Sequence, residues 1–161
     1  NNPWSMTVAG GGNLQFAVNG SLRGTFNDTN GSYTAVSDRR LKSNITPLAN
    51  NAIEKVMSLN PVSYTFKDQE GDKRSIGFIA QEVKPIFPEL TNQIKSHNQD
   101  LLGISYAEFS VIAIKAIQEQ QEIIEGLKNE IDQFHSLKQD LISLKSDLTS
   151  SLNKAKSKAT K

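Results

Sequence analysis

At 161 residues the chain has room for one ordinary domain or two small units, and 37% hydrophobic with 7% aromatic residues makes any single core modest. A net charge of +1 excludes a large basic nucleic-acid face and a polyacidic tail, and the absence of cysteine excludes disulfides and thiolate metal sites. No apolar run approaches the roughly 20 residues that span a bilayer, and the opening "NNPWSM", with neither an initiator Met nor an apolar signal region, is expected to belong to a longer polypeptide.

Residues 1–36 are rich in Gly, Asn, Thr and Ser. Leu14, Phe16 and Val18 alternate in "NLQFAV", and the turn signals "GGGN", "NG" and "NDTNGS" separate short runs. Three or four short strands follow. A small sheet of this kind cannot bury a core alone, so the segment is expected to end an oligomeric β-rich structure.

Residues 37–104 read as a compact α/β unit. Thr46 can cap a helix with Pro47 at its first position, and Leu48, Ala52, Ile53 and Val56 then form one apolar stripe. "NP" stops that helix; "VSYTF" and "SIGFIA" read as strands around the polar loop "KDQEGDKR". Two prolines in "QEVKPIFPEL" impose extended or turn geometry, and "LLGIS" is a third strand. The acids of "DQEGDKR" lack calcium-loop spacing, so no metal site and no cofactor is expected.

From residue 105 the period becomes helical. "SYAE" fits a capping box with Ser105 as cap and Glu108 three residues on. Ile117, Ile124 and Ile131 recur every seven residues, with Gln120, Leu127 and Phe134 interleaved. A polar residue at the Gln120 position commonly fixes register or oligomer state. After Phe134 the spacing runs through Leu137, Leu141, Leu144 and Leu148, so 131 to 134 to 137 makes two successive steps of three. Two helical segments, or one helix that changes face, are expected. The Ile-rich seam tolerates trimers, and a helical hairpin folding back on its own unit is the alternative. The lysine-rich end "NKAKSKATK" reads as a frayed, solvated terminus.

The fold class is therefore α+β, in three parts: residues 1–36 as the end of an oligomeric β-rich structure, 37–104 as an α/β unit and 105–161 as long helices forming a coiled coil or helical bundle.

"TAVSDRRLKSNITPL" sits at the first of these boundaries. Ser37 lies five residues before Lys42, either in an ordinary surface loop or as a nucleophile and its base. A serine hydroxyl needs a neighbouring base, and a lysine serves only when neutral, which burial or nearby cations promote. Arg39 and Arg40 push in that direction. Asp38 opposes them unless it is turned away or paired with an arginine, and it is expected to orient the loop. Residues five apart on a regular helix or strand lie on roughly opposite faces. "SDRRLK" must therefore bend, or Lys42 must come from a neighbouring protomer. Asn44 or a backbone N–H can serve as oxyanion donor. His97, in "SHNQD", and His135, in the heptad stretch, read as solvated.

"SDRRLKSNITPL", "LNPVSYTF", "IGFIAQEVKPIFPEL" and "ISYAEFSVIAIKAIQEQ" together resemble the C-terminal self-cleaving chaperone domain of bacteriophage tailspikes, tail fibres and endosialidases. The resemblance covers residues 37 to about 125, in the family's order. It implies a domain that trimerises, helps the preceding β-rich region of the same polypeptide to fold, and then cuts the chain before the serine. The cut would fall between Val36 and Ser37, with Ser37 as nucleophile, Lys42 as base and Asp38 in support. Ile117, Ile124, Leu127, Ile131 and Phe134 would line the trimer interface. The partners implied are a homotrimer and the upstream client, with no nucleic acid and no membrane. Its place would be the host cytoplasm during phage assembly; the client enters the virion tail and the chaperone is released. A non-cleaving trimerisation clamp is the alternative, and a receptor-binding tip ranks last because the helical half lacks an aromatic-rich patch.

Overall fold

Asn19 and Gly20 both take positive φ, 49° and 76°. That makes the two-residue turn whose twist suits antiparallel strands, and it joins β2 (Leu14–Val18) to β3 (Ser21–Phe26). β1 (Trp4–Val8) pairs outside β2, and β4 (Tyr33–Ala35) pairs outside β3. The computed structural model describes residues 4–96 and 99–159. Its N-terminal segment thus holds one antiparallel sheet in the order β1-β2-β3-β4.

Trp4, Met6 and Val8 lie opposite Val18, Phe16 and Leu14. Alternate residues of a strand share a face, so one face of the sheet is apolar; Phe16 against Phe26 and Phe26 against Tyr33 extend it, at ring distances of 5.6 and 5.0 Å. The β2–β3 register shifts after Phe16. Phe16 faces Gly24 and Ala17 faces Leu22, which leaves Arg23 as an extra residue on β3. The chain forms two compact units, the first ending at Pro47 and the second starting at Leu48.

In the second unit, helix α1 (Ala52–Met57) starts later than its local cap signals imply. Thr46 and Pro47 precede it without capping it. The reason is long-range: the Ala52 and Ile53 N–H groups donate to the two oxygens of Glu119, at 3.1 and 3.0 Å. The free donors of the first turn are thereby satisfied from a helix much later in the chain.

Strands β5 (Val62–Tyr64) and β6 (Ser75–Gly77) pair antiparallel. The strand expected over "SIGFIA" ends early, since the Phe78 N–H donates to the Tyr106 hydroxyl at 2.9 Å. The following "QEVKPIFPEL" is not extended. It forms α2 (Ala80–Val83) and a 3-10 turn over Pro88–Leu90, with Pro88 at a first-turn position where its missing N–H does no harm. Strands β7 (Thr91–Lys95) and β8 (Asp100–Ile104) form another antiparallel pair. Ser105 makes no side-chain cap; its hydroxyl accepts from the Asn92 amide at 3.0 Å, and a 3-10 turn over Tyr106–Glu108 leads on.

Helix α3 (Phe109–Ala159) is one unbroken helix. The unit's core is small: Val83, Phe87, Leu90 and Ile112 are buried, with Val56, Leu59, Phe78, Ile86, Ile104 and Phe109 packed around them. From Gln120 to Ala159 every residue of α3 is exposed, so the helix does not fold back on its own unit.

Candidate active site

Ser37, Asp38 and Lys42 lie in the stretch that leaves β4. Asp38 caps a 3-10 turn over Arg39–Leu41, and its Oδ1 accepts from the Arg40 N–H at 2.8 Å. The Leu41 N–H donates to the Asp38 carbonyl and the Lys42 N–H to the Arg39 carbonyl, both at 3.1 Å. This turn folds residue 42 back onto residue 37. Lys42 Nζ donates to Ser37 Oγ at 2.7 Å within a single chain. "SDRRLK" does bend, and no second protomer is needed for the contact.

Asp38 is also gripped through its side chain. Arg40 Nε donates to Oδ1 at 3.0 Å and Nη2 to Oδ2 at 2.7 Å. The Arg40 guanidinium, together with the Arg40 backbone N–H, holds the Asp38 carboxyl below the usual carboxylate range, and Asp38 raises Arg40 in turn. Both partners face solvent, so the pair shapes the turn more than it stabilises the fold. An ionised carboxylate already engaged by an arginine is a brace, not a proton acceptor for Ser37. Of the two arginines expected to bear on Lys42, Arg40 is turned to Asp38.

The bond before Ser37 is anchored differently. Val36 is half-buried, and its N–H donates to the Arg23 carbonyl at 2.9 Å. That anchor has no sequence signal, because any residue supplies a carbonyl. The Asp38–Arg40 brace has a weak one, an acid at a cap position with a basic residue in the following turn. Asn44 sits two residues beyond Lys42 with φ of 51°, a left-handed conformation that Asn tolerates. Ser37 and Lys42 are both exposed in the single chain.

The residues expected at a trimer seam all lie on α3. Ile117, Ile124, Leu127, Ile131 and Phe134 are 62, 38, 53, 54 and 72% exposed in one chain. His135 lies exposed among them, and His97 falls outside the described residues. Among the described residues no cluster of His, Asp and Glu is placed to hold a metal ion, and no helix is long and apolar enough to cross a membrane.

The chain is similar to the long tail fiber protein Gp37 of Enterobacteria phage Ox2, with 39% identity over 113 residues, covering 65% of this chain and 45% of that protein. It is likewise similar to the long tail fiber protein Gp37 of Enterobacteria phage M1, with 40% identity over 96 residues, covering 57% of this chain and 38% of that protein. The chain thus spans less than half the length of these curated relatives. Residues 37–92 match the family model described as the chaperone of endosialidase. The match begins at the serine that Lys42 contacts, so that residues 37–92 are a segment similar to the chaperone of endosialidase.

Proposed function

We propose that this chain assists the folding of the fibre region that precedes residue 37, assembles as a homotrimer, and then separates from its client by cutting itself between Val36 and Ser37. The observation that carries this reading is the Lys42 Nζ–Ser37 Oγ contact of 2.7 Å at the first residue of the family match. The likeness to tail fibre proteins supports a fibre segment of the same polypeptide as the client. Assembly would take place in the host cytoplasm, with the client entering the virion tail and the chaperone part released.

The chemistry runs in two steps. A neutral Lys42 amine takes the Ser37 Oγ proton as Oγ attacks the Val36 carbonyl carbon. The Val36–Ser37 C–N bond breaks, the proton passes to the leaving Ser37 nitrogen, and Val36 is left as an ester on Oγ. Water then hydrolyses the ester, giving a Val36 carboxylate and restoring the Ser37 hydroxyl. In the single chain Lys42 is exposed and its Nζ donates to Oγ. Reversing that hydrogen bond requires the amine to lose its proton, which removal of water by a neighbouring chain promotes. Asp38 supports the turn, and Asn44 or a backbone N–H serves the oxyanion.

The test is an intact mass after folding of the parent, Ser37→Ala and Lys42→Ala chains. Fragments ending at Val36 and starting at Ser37 are expected from the parent alone, with the single substitutions lowering the rate by a factor of about a thousand or more. Cleavage at the same bond in Ser37→Ala would discard the nucleophile. An uncleaved parent that still assembles would leave a trimerisation clamp instead.

A further inference from the structure

We infer that closure of the β3–β4 hairpin aims the bond to be cut, so that self-cleavage reports on the fold of the client's last strands as well as on assembly. This rests on the self-cleavage reading above. The Ser37–Lys42 contact is organised by bonds within residues 37–42, and those bonds carry no information about the sheet. The carbonyl that Ser37 must attack is held from the other side. Val36 is tied to Arg23, which extends the β3–β4 ladder one pair beyond Gly24 and Ala35.

Bonded pairs alternate along an antiparallel ladder. Here the Asn27 N–H donates to the Ser32 carbonyl at 2.9 Å at the far end, so the bonded series is Asn27–Ser32, Thr25–Thr34 and Arg23–Val36. Arg23 is also the residue that the β2–β3 register shift leaves without a counterpart on β2. A bulge re-aims the chain or ends a pairing, and this one lies at the last anchor before the scissile bond. Nucleophile and carbonyl are therefore positioned by separate structures, a local turn and a sheet. Attack requires the two reacting atoms about 3–3.5 Å apart and aligned, and an open ladder leaves the carbonyl side free to turn. Arg23, through its carbonyl, and the Thr25–Thr34 pair are positioning residues.

The experiment follows single-turnover self-cleavage of the full chain during refolding. Thr34→Pro removes the middle N–H of the ladder while leaving residues 35–42 intact; Thr34→Val keeps that N–H and the strand preference. Thr34→Pro is expected to cleave about 100-fold more slowly and Thr34→Val at the parent rate, with sedimentation the same for all three. Hydroxylamine, which cleaves esters but not amides, is expected to release no fragment from Thr34→Pro, because the block precedes ester formation. Gly31→Val, at a turn position with φ of +68°, strains the hairpin without touching its ladder and is expected to fall between the two. It decides the matter if Thr34→Pro does not assemble. Parent-rate cleavage in an assembled Thr34→Pro, or otherwise in Gly31→Val, would overturn the ladder's role alone. An uncleaved parent would overturn self-cleavage and this inference with it.

Discussion

The two stretches of α3 are built from the same residue types and live in different surroundings. Near its start, Ile112 is 8% exposed and packs with Val83, Phe87 and Leu90, while Glu119 reaches the first turn of α1. Beyond Glu119 the helix continues for about 60 Å with every residue exposed, including Ile124, Leu127, Ile131 and Phe134. Helices draw most of their stability from packing an apolar face. The first stretch obtains that packing from its own chain. The second has an apolar face that nothing among the described residues covers.

The sharpest way to break this contrast is Ile124→Asp. A carboxylate placed in a closed seam costs several kcal/mol per chain, so sedimentation is expected to show monomers. Near-UV circular dichroism from the Phe87–Phe109 region should stay unchanged. An unchanged assembly would move the seam away from Ile124.

A smaller effect is expected at the proximal joint. The Ile53 N–H, with the Ala52 N–H and the Lys115 ammonium, holds the Glu119 carboxyl below the usual range despite partial burial. A carboxyl lowered on folding stabilises fully above its unfolded value of about 4.3, and that stabilisation disappears as pH falls through the lower folded value. Glu119→Gln is expected to lower the thermal midpoint at neutral pH and to flatten its dependence on pH below about 4.3. Parallel midpoint curves for variant and parent between neutral and acidic pH would show that the charge does not matter to the joint.

The smallest effect is expected at Gly126. A Cβ there meets nothing within 4 Å, and the position lies off the Ile117–Ile124–Ile131 series. Gly126→Ala is expected to add about 0.5–1 kcal/mol through helix propensity alone, seen as a small rise in thermal midpoint. A fall instead would mean that another chain packs closely against that side of the helix.

What was legible in the sequence was whatever local chemistry decides. "NG" between alternating runs marked the β2–β3 hairpin, the seven-residue recurrence marked α3, and the spacing of Ser37 and Lys42 demanded a bend. Where partners lie far apart in sequence, local signals misled. Thr46 looked like a cap, yet Glu119 satisfies the α1 donors from 67 residues away. Ser105 looked like a capping-box residue, yet it bonds Asn92. "TNQIK" alternates too weakly to declare itself, and becomes β7 because β8 pairs with it. At the candidate site the side chains could be named in advance; the Arg23 carbonyl could not.

Because α3 runs unbroken through Ile131, Phe134 and Leu137, the two successive steps of three swing the apolar stripe around the helix instead of ending it. Each such step falls about 60° short of a full turn. Helices with a uniform heptad stripe can slide past one another by seven residues and still match apolar residue to apolar residue. With one offset step they cannot, since sliding sets the rotated stretch of one helix against the straight stretch of the next. The offset works as an index mark. In the homotrimer proposed above, parallel helices that match at Phe134 would begin level at Phe109, their alignment written in where the stripe turns, not in how hydrophobic it is.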